Sequence, residues 1–189
     1  MKISCVLTLA LVCACGGGSG PSALDNGTIR GRAFTATDSA ATVLSFSAND
    51  VELSLVVTDT PAFCDTLTQN KTPKNVAALI IAAADFDAST GALTPPTVPG
   101  THTIVAQINP SANAKVANLS YVHDDDACQA ISADGATAVS GSITFTSIAN
   151  GVYTGTYDVV LNSNDRVKGS FTSQNCPALA GSSTPLVCT

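Results

Sequence analysis

The feature that most constrains the fold is a regular alternation of apolar and polar residues in the last third of the chain. Successive side chains of a β-strand point to opposite faces, so this alternation predicts strands with one buried face. Short loops rich in Asn, Gly and Ser separate the runs, which predicts an antiparallel meander. The apolar positions are all odd-numbered: Ile143 and Phe145, then Tyr153, Tyr157, Val159 and Leu161, then Val167 and Phe171.

The register of this meander follows from the need to keep its apolar residues on one face. A two-residue Asn150-Gly151 turn would place Phe145 opposite Thr156 and divide the apolar residues between both faces, which is costly when one face is buried. A three-residue loop at positions 149–151 avoids this division. The predicted pairs are Phe145 with Gly155, Ile143 with Tyr157 and, across a second loop at 163–165, Tyr157 with Phe171 and Val159 with Gly169.

Similar alternation recurs earlier in the chain, so the sequence predicts an all-β protein. The clearest earlier strands are residues 28–34, 51–57, 100–108 and 115–123, with Leu44 and Phe46 preceding the second across a hairpin at 48–50. Eight or nine strands in one domain, residues 24–189, predict a single antiparallel β-sandwich, with a closed β-barrel as the alternative.

Two segments leave the choice between strand and helix open. Residues 76–86 (VAALIIAAADF) are continuously apolar, and we favour a buried central strand because the neighbouring segments are strands. The alternative is a helix that begins at Thr72-Pro73, a typical cap and first helical residue. Residues 61–68 are also compatible with a short helix.

The first residues have the pattern of a secretory signal that is removed from the mature protein. Lys2 precedes a short apolar run and small residues, and the uncharged segment is too short for a membrane span of about 20 residues. Val12-Cys13-Ala14-Cys15 resembles a lipobox, which predicts a signal peptide at 1–14, an acylated Cys15 and a Gly/Ser tether over 15–23. Conventional cleavage after Ala14 is the alternative, but a cysteine directly after the cut favours lipidation.

Composition excludes several classes of function. Removing Lys2 with the leader leaves seven basic residues against fourteen acidic ones, and binding of nucleic acid needs a basic surface. The same charge disfavours attraction to anionic lipid, so the expected membrane link is the lipid on Cys15. No cofactor-binding motif is present, and an apolar fraction of 45% is not that of a disordered chain.

Four cysteines remain after the leader and the acylated residue are set aside: Cys64, Cys128, Cys176 and Cys188. In an oxidising compartment such an even set predicts two disulfides, with three possible connectivities. We favour Cys64 with Cys128 and Cys176 with Cys188, the second closing a short C-terminal loop. A zinc site lacks the required C-x-x-C spacing.

The candidate chemical groups are few. His123 precedes three aspartates (124–126), but adjacent residues of an extended chain point alternately, which favours a solvated loop over a metal site. Asp85 and Asp87 share a face if their segment is a strand, as a pair of catalytic carboxylates would, and nothing else there supports catalysis. His102 is expected on an outward face, and Tyr121 is expected to be free of the core.

The lipobox with its tether, residues 27–34 (GTIRGRAF) and the ending from 140 to 176 together resemble a loose group of uncharacterised bacterial lipoproteins. The resemblance implies acylation of Cys15 and, because Gly16 replaces an aspartate, the outer membrane of a Gram-negative cell. We therefore expect a lipid-anchored envelope protein, not an enzyme, with a structural or binding role and an unidentified envelope protein as partner. The alternatives are a lipocalin-like carrier of a small apolar ligand and an envelope enzyme of unrecognised type.

Overall fold

A computed structural model describes residues 27–105, 112–181 and 185–189; most of these residues are in strands and few are in helices, which confirms the all-β class. The predicted leader, Cys15 and its tether lie outside the described residues. The strands are β1 (Thr28–Ile29), β2 (Arg32–Ala33), β3 (Asp38–Ser47), β4 (Asp50–Thr58), β5 (Lys71–Thr72), β6 (Ala77–Asp87), β7 (Ala92–Thr94), β8 (Gly100–Ile104), β9 (Ala114–His123), β10 (Ala136–Ala149), β11 (Val152–Leu161), β12 (Arg166–Asn175) and β13 (Val187–Cys188). The helices are α1 (Phe63–Thr68) and a 3₁₀ turn at Pro177–Ala180.

The main sheet closes on itself, in the strand order β10-β11-β12-β3-β4-β7-β6-β9-β8 with β8 paired back to β10. A closed barrel, the alternative architecture, is therefore the one that the described residues form, in place of the two separate sheets of a sandwich. Closure depends on contacts between strands that are not neighbours in the sequence: β12 pairs in parallel with β3, and β8 pairs with β10. Neither pairing forms a hairpin, so sequence patterns of adjacent strands do not reveal them.

The first hairpin of the meander keeps the predicted register but reaches it differently. Phe145 pairs with Gly155, as predicted, yet Ala149 pairs with Val152 and the turn is the two-residue Asn150-Gly151. A β-bulge between Phe145 and Ser147 adds one residue to β10. That extra residue restores the face of the apolar side chains, so a two-residue turn and a one-sided apolar face are compatible. The predicted three-residue loop is wrong.

The second hairpin of the meander is shifted by two residues from the predicted register. Tyr157 pairs with Gly169, and Phe171 lies opposite Gly155. Because a shift of two residues leaves every side chain on the same face, the predicted inward face is still correct. Gly155 also explains the new register: a Cβ there would lie 2.7 Å from Phe171 Cζ, so the Phe171 ring occupies the space that glycine leaves.

The segment over 76–86 is a strand, as favoured, and its continuous apolar character has a structural reason. Leu79 and Ile81 face the interior of the barrel. Val76 and Ala78 face outwards but are covered by α1, as part of a second apolar cluster that also includes Val56, Phe63 and Leu67. Ile80, on the outer face, is 38% exposed. The predicted short helix at 61–68 is confirmed as α1.

Two disulfides form, as predicted, but with a different connectivity. Cys64 bonds to Cys176, and Cys128 bonds to Cys188. The favoured pairing is wrong because proximity along the chain is a poor guide here: Cys64 in α1 lies against the end of β12, 112 residues later. The second bond holds β13 beside β5.

Residues 28–34, predicted as one strand, form the tight hairpin β1–β2, with Arg30 and Gly31 at positive φ. The hairpin lies at the end of the barrel where β9 ends and β6 begins. Ile29 and Phe34 reach from it into the barrel core. Within the described part of the chain, no helix is long and apolar enough to cross a membrane.

Candidate ligand-binding cleft

A cleft of about 580 Å³ opens beside the β1–β2 hairpin at this end of the barrel. Its position follows from the hairpin, because the hairpin covers only part of the barrel end. The backbone N–H of Arg30 donates to Asp165 Oδ2 at 2.9 Å and fixes the turn of the hairpin. The polar side chains lining the cleft include Arg32, Asp59, Asn75, Tyr121, His123, Asp125 and Asp126.

An aspartate joins a histidine and an arginine at the cleft. His123 Nδ1 lies 2.8 Å from Asp134 Oδ2, and Arg32 Nε lies 3.0 Å from the same oxygen. An ionised carboxylate accepts hydrogen bonds only, so Nδ1 of His123 carries a proton and donates it. In the neutral ring, Nε2 is then an acceptor, and it has no hydrogen-bond partner among the described residues.

Tyr121 contributes a buried hydroxyl. The side chain is 1% exposed, and its oxygen has no hydrogen-bond partner within the described residues. Burial raises the pKa of this hydroxyl; the charge on Arg32 acts in the opposite direction, and the charges on Asp59 and Asp134 raise the pKa further. Tyr121 lines the cleft together with Arg32 and Asp59, so its hydroxyl lies close to these charged groups. Phe34 holds the ring edge-on, with centroids 5.9 Å apart.

Two further carboxylates are fixed by the backbone. Asp59 Oδ1 accepts from the backbone N–H of Ala77 at 3.0 Å. Asp125 Oδ1 accepts from the N–H groups of Ala127 and Gln129 at 2.8 and 2.9 Å. The second oxygen of each carboxylate has no partner in the described part of the chain. With Asp126 and Asp134 included, the acids outnumber Arg32 and give the cleft a negative charge.

The structure corrects the predictions made for this region. Tyr121 is buried rather than free, and the run after His123 is only partly a solvated loop, because Asp125 and Asp126 line the cleft. Leu119, Tyr121 and His123 occupy alternate positions of β9 and therefore share one face. Because the apolar Leu119 belongs on the buried face, alternation could have predicted that Tyr121 and His123 also point inwards. Nothing in the sequence pattern indicates the contributions of Arg32, Asp59 and Asp134. No group of three potential metal ligands is found within the described ranges.

A second histidine–aspartate pair lies inside the barrel, far from the cleft in the strand register. His102, expected on an outward face, is fully buried, and its Nε2 lies 2.9 Å from Asp85 Oδ1. The ring packs edge-on against Phe145 at 5.1 Å. Burial lowers the pKa of His102, and the hydrogen bond with Asp85 opposes that shift.

The predicted pair of Asp85 and Asp87 does not act as one unit. Asp85 pairs with His102, whereas Asp87 Oδ1 accepts from the backbone N–H of Ser89 at 2.8 Å and stabilises the turn after β6. Hydrogen bonds donated by the Ser89 hydroxyl and by its backbone N–H hold the pKa of Asp87 below its usual value. The two side chains therefore have separate structural roles.

The chain matches no known protein-family model, no curated protein and no solved structure. Fold alone does not determine function, since one barrel architecture supports many activities. The function is therefore argued from the chemistry of the cleft.

Proposed function

We propose that this protein is a lipid-anchored binding domain of the cell envelope, without catalytic activity, and that its ligand occupies the cleft. The observation that carries the binding role is the hydroxyl of Tyr121, buried and without a partner beside a cleft. A buried polar group without a hydrogen bond costs about 1–3 kcal/mol. A ligand that pairs with this hydroxyl recovers that cost, which gives a physical reason to keep tyrosine at this position.

The contents of the cleft favour binding over catalysis. No serine, threonine or cysteine is among the described residues that line the cleft, so His123 has no hydroxyl or thiol nucleophile to activate. The Asp134 carboxylate contacts both Arg32 and His123. The positive charge of Arg32 balances the negative charge of this carboxylate, so Asp134 is not reserved for stabilising a positive charge on His123. The cleft groups are therefore best suited to holding a polar ligand.

The barrel interior favours a ligand at its end rather than within it. Tyr157, Phe145 and Phe171 fill the space between the strands and are at most 2% exposed. A carrier of apolar ligands needs an apolar pocket of several hundred Å³. The described cleft is instead lined mainly by charged and polar groups.

The proposed anchor would limit the distance between the cleft and the membrane. The described chain starts at Gly27, beside the hairpin that borders the cleft. Eleven residues lie between Cys15 and Gly27, and the twelve residue steps that join them can span at most about 40 Å. A lipid on Cys15 would thus keep this end of the barrel within about 40 Å of the membrane surface, where envelope ligands are available.

Replacing Cys15 by Ser tests the anchor. We expect the variant to move from the membrane fraction to the soluble envelope fraction, because serine lacks the thiol to which the lipid is proposed to be attached. Fractionation followed by intact-mass measurement checks this, with Cys13→Ser as the matched control inside the leader. Unchanged partitioning of Cys15→Ser, or a mature protein without acyl mass, would contradict the anchor.

The binding role is tested by comparing wild-type protein with Tyr121→Phe against a panel of small polar metabolites, by thermal denaturation. We expect at least one compound to raise the wild-type melting temperature and to raise that of the variant less, because a bound ligand stabilises the folded state. If every stabilising compound acts equally on both proteins, the cleft is not the binding site.

A further inference from the structure

We infer that the ligand of the cleft is a small organic cation whose ammonium group is held by Asp59, Asp125 and the hydroxyl of Tyr121. This inference rests on the proposed binding function and names its ligand class.

The first argument is the hydrogen-bonding character of the atoms that remain available. The second oxygens of Asp59 and Asp125 are acceptors, and neither has a partner in the described part of the chain. The Tyr121 hydroxyl can accept or donate. An ammonium group has three N–H donors and no acceptor, which complements this set. A carboxylate or phosphate would place acceptors against these acceptors; besides the Tyr121 hydroxyl, it would find donors among the described lining side chains only at the Nη groups of Arg32, the amide of Asn75 and a ring N–H of His123.

The second argument is charge. Asp59, Asp125 and Asp126 border the cleft, while Arg32, its cation among the described lining residues, is paired through Nε with Asp134. An anionic ligand would have to approach three carboxylates at once. A cation is attracted by the same groups, and hydrogen bonds between ionised partners are stronger than neutral ones.

The third argument separates an organic cation from a metal ion. The two carboxylates with available oxygens come from different elements, Asp59 after β4 and Asp125 after β9. Within the described ranges they are not part of a group of three ligands that could hold a metal. The cleft volume of about 580 Å³ suits an organic molecule rather than a bare ion.

The test is isothermal titration calorimetry on the full-length mature protein in detergent, at low ionic strength. Three probes of similar length differ only in their end groups: butane-1,4-diamine, butane-1,4-diol and succinate. We expect the diamine to bind and the other two not to bind. Raising the salt concentration to about 0.5 M should weaken diamine binding, because exposed charge pairs are screened.

Matched variants identify the groups involved. Asp59→Asn keeps an oxygen to accept from the N–H of Ala77 but removes the charge, and it should weaken diamine binding about tenfold. Asp65→Asn, at an exposed aspartate in α1, is the control for net charge and should have no effect. Tyr121→Phe should weaken binding about fivefold.

Tyr157→Phe is the control for loss of a buried hydroxyl, since Tyr157 is as buried as Tyr121 and its oxygen also has no partner among the described residues, but it does not line the cleft. Removing either hydroxyl should raise the melting temperature by about 2–4 °C, which shows that both variants fold. Only Tyr121→Phe should affect the diamine.

The inference is overturned if the diamine does not bind at millimolar concentration, or if Asp59→Asn and Tyr121→Phe bind it as wild type does. Binding of succinate or the diol that depends on Tyr121 would overturn the cation while leaving the proposed cleft function in place. If no probe and no compound of the metabolite panel depends on Tyr121, both the ligand class and the proposed function are wrong.

Discussion

The barrel contains two histidine–aspartate pairs with nearly equal geometry and different surroundings. His102 Nε2 lies 2.9 Å from Asp85, and His123 Nδ1 lies 2.8 Å from Asp134. The side chain of His102 is fully buried against Phe145, whereas His123 lines the cleft and its aspartate also binds Arg32. The distance between the partners therefore does not distinguish a structural pair from one that is able to meet a ligand.

The difference lies in what surrounds each ring. His102 is enclosed by core side chains, so its ring contributes mainly packing. The hydrogen bond between Nε2 and Asp85 compensates for part of its burial, while Nδ1 has no hydrogen-bond partner among the described residues and faces no cleft. His123 has neighbours whose oxygens are not fully used, such as Asp59 and Asp125. A candidate site is thus recognised by hydrogen-bonding atoms that remain unpaired next to a cleft, more than by the presence of two interacting residues.

The largest expected difference between the two pairs is in stability. His102→Ala should lower the free energy of unfolding by about 3 kcal/mol, because it removes a buried ring beside Phe145 and leaves a cavity. His123→Ala should cost only about 1 kcal/mol, since Asp134 keeps Arg32 and the cleft is open. Urea denaturation with intact disulfides measures both values.

The more conservative variants His102→Gln and His123→Gln control for loss of the hydrogen bond, because glutamine retains a polar group of similar reach. Equal losses in the two alanine variants would remove the distinction between a core pair and a cleft pair. A larger loss for His123→Ala would reverse it.

A smaller effect is expected in the dependence of stability on pH. Burial lowers the pKa of His102 in the folded protein, with Asp85 opposing the shift. The unfolded chain therefore binds a proton more readily, near pH 6.5. This contribution to stability is fully present above about pH 6.5 and is lost as the pH falls towards the lower, folded pKa.

His102→Gln should remove that component of the pH dependence, which urea midpoints measured between pH 7.5 and 4.5 would show. Aspartates whose pKa is lowered in the fold, such as Asp158 beside Arg166, act at more acidic pH and are common to both proteins. A wild-type midpoint that stays constant over this range, or one that falls equally in His102→Gln, would contradict the role of His102.

Much of the fold could be predicted because its information is local. Alternation identified the inward face of the meander even where the turn type and the second register were wrong. It failed at His102, where the flanking threonines face outwards and the polar ring faces inwards. Alternation shows which residues share a face of the strand. When the residues on both faces are polar, as around His102, alternation does not show which of the two faces is buried.

Little of the candidate site could be predicted, because its residues come from distant segments. The sequence indicates His123 and the acids after it as candidate groups, but the partner of His123 is Asp134, beyond a loop that is closed by the Asp124–Ala130 bridge. Arg32 comes from a hairpin that was predicted as a single strand. Their proximity depends on where the hairpin lies on the barrel end.

By itself, the sequence determined the all-β class, the apolar inner faces and an even set of cysteines that forms two disulfides. These properties depend on residue type and on spacing along the chain. Only the tertiary structure decided the closure of the barrel, the pairing of the cysteines and the assembly of the cleft. The reason is physical: strand edges join through backbone N–H and C=O groups that nearly every residue carries, so side-chain patterns do not specify which distant edges meet.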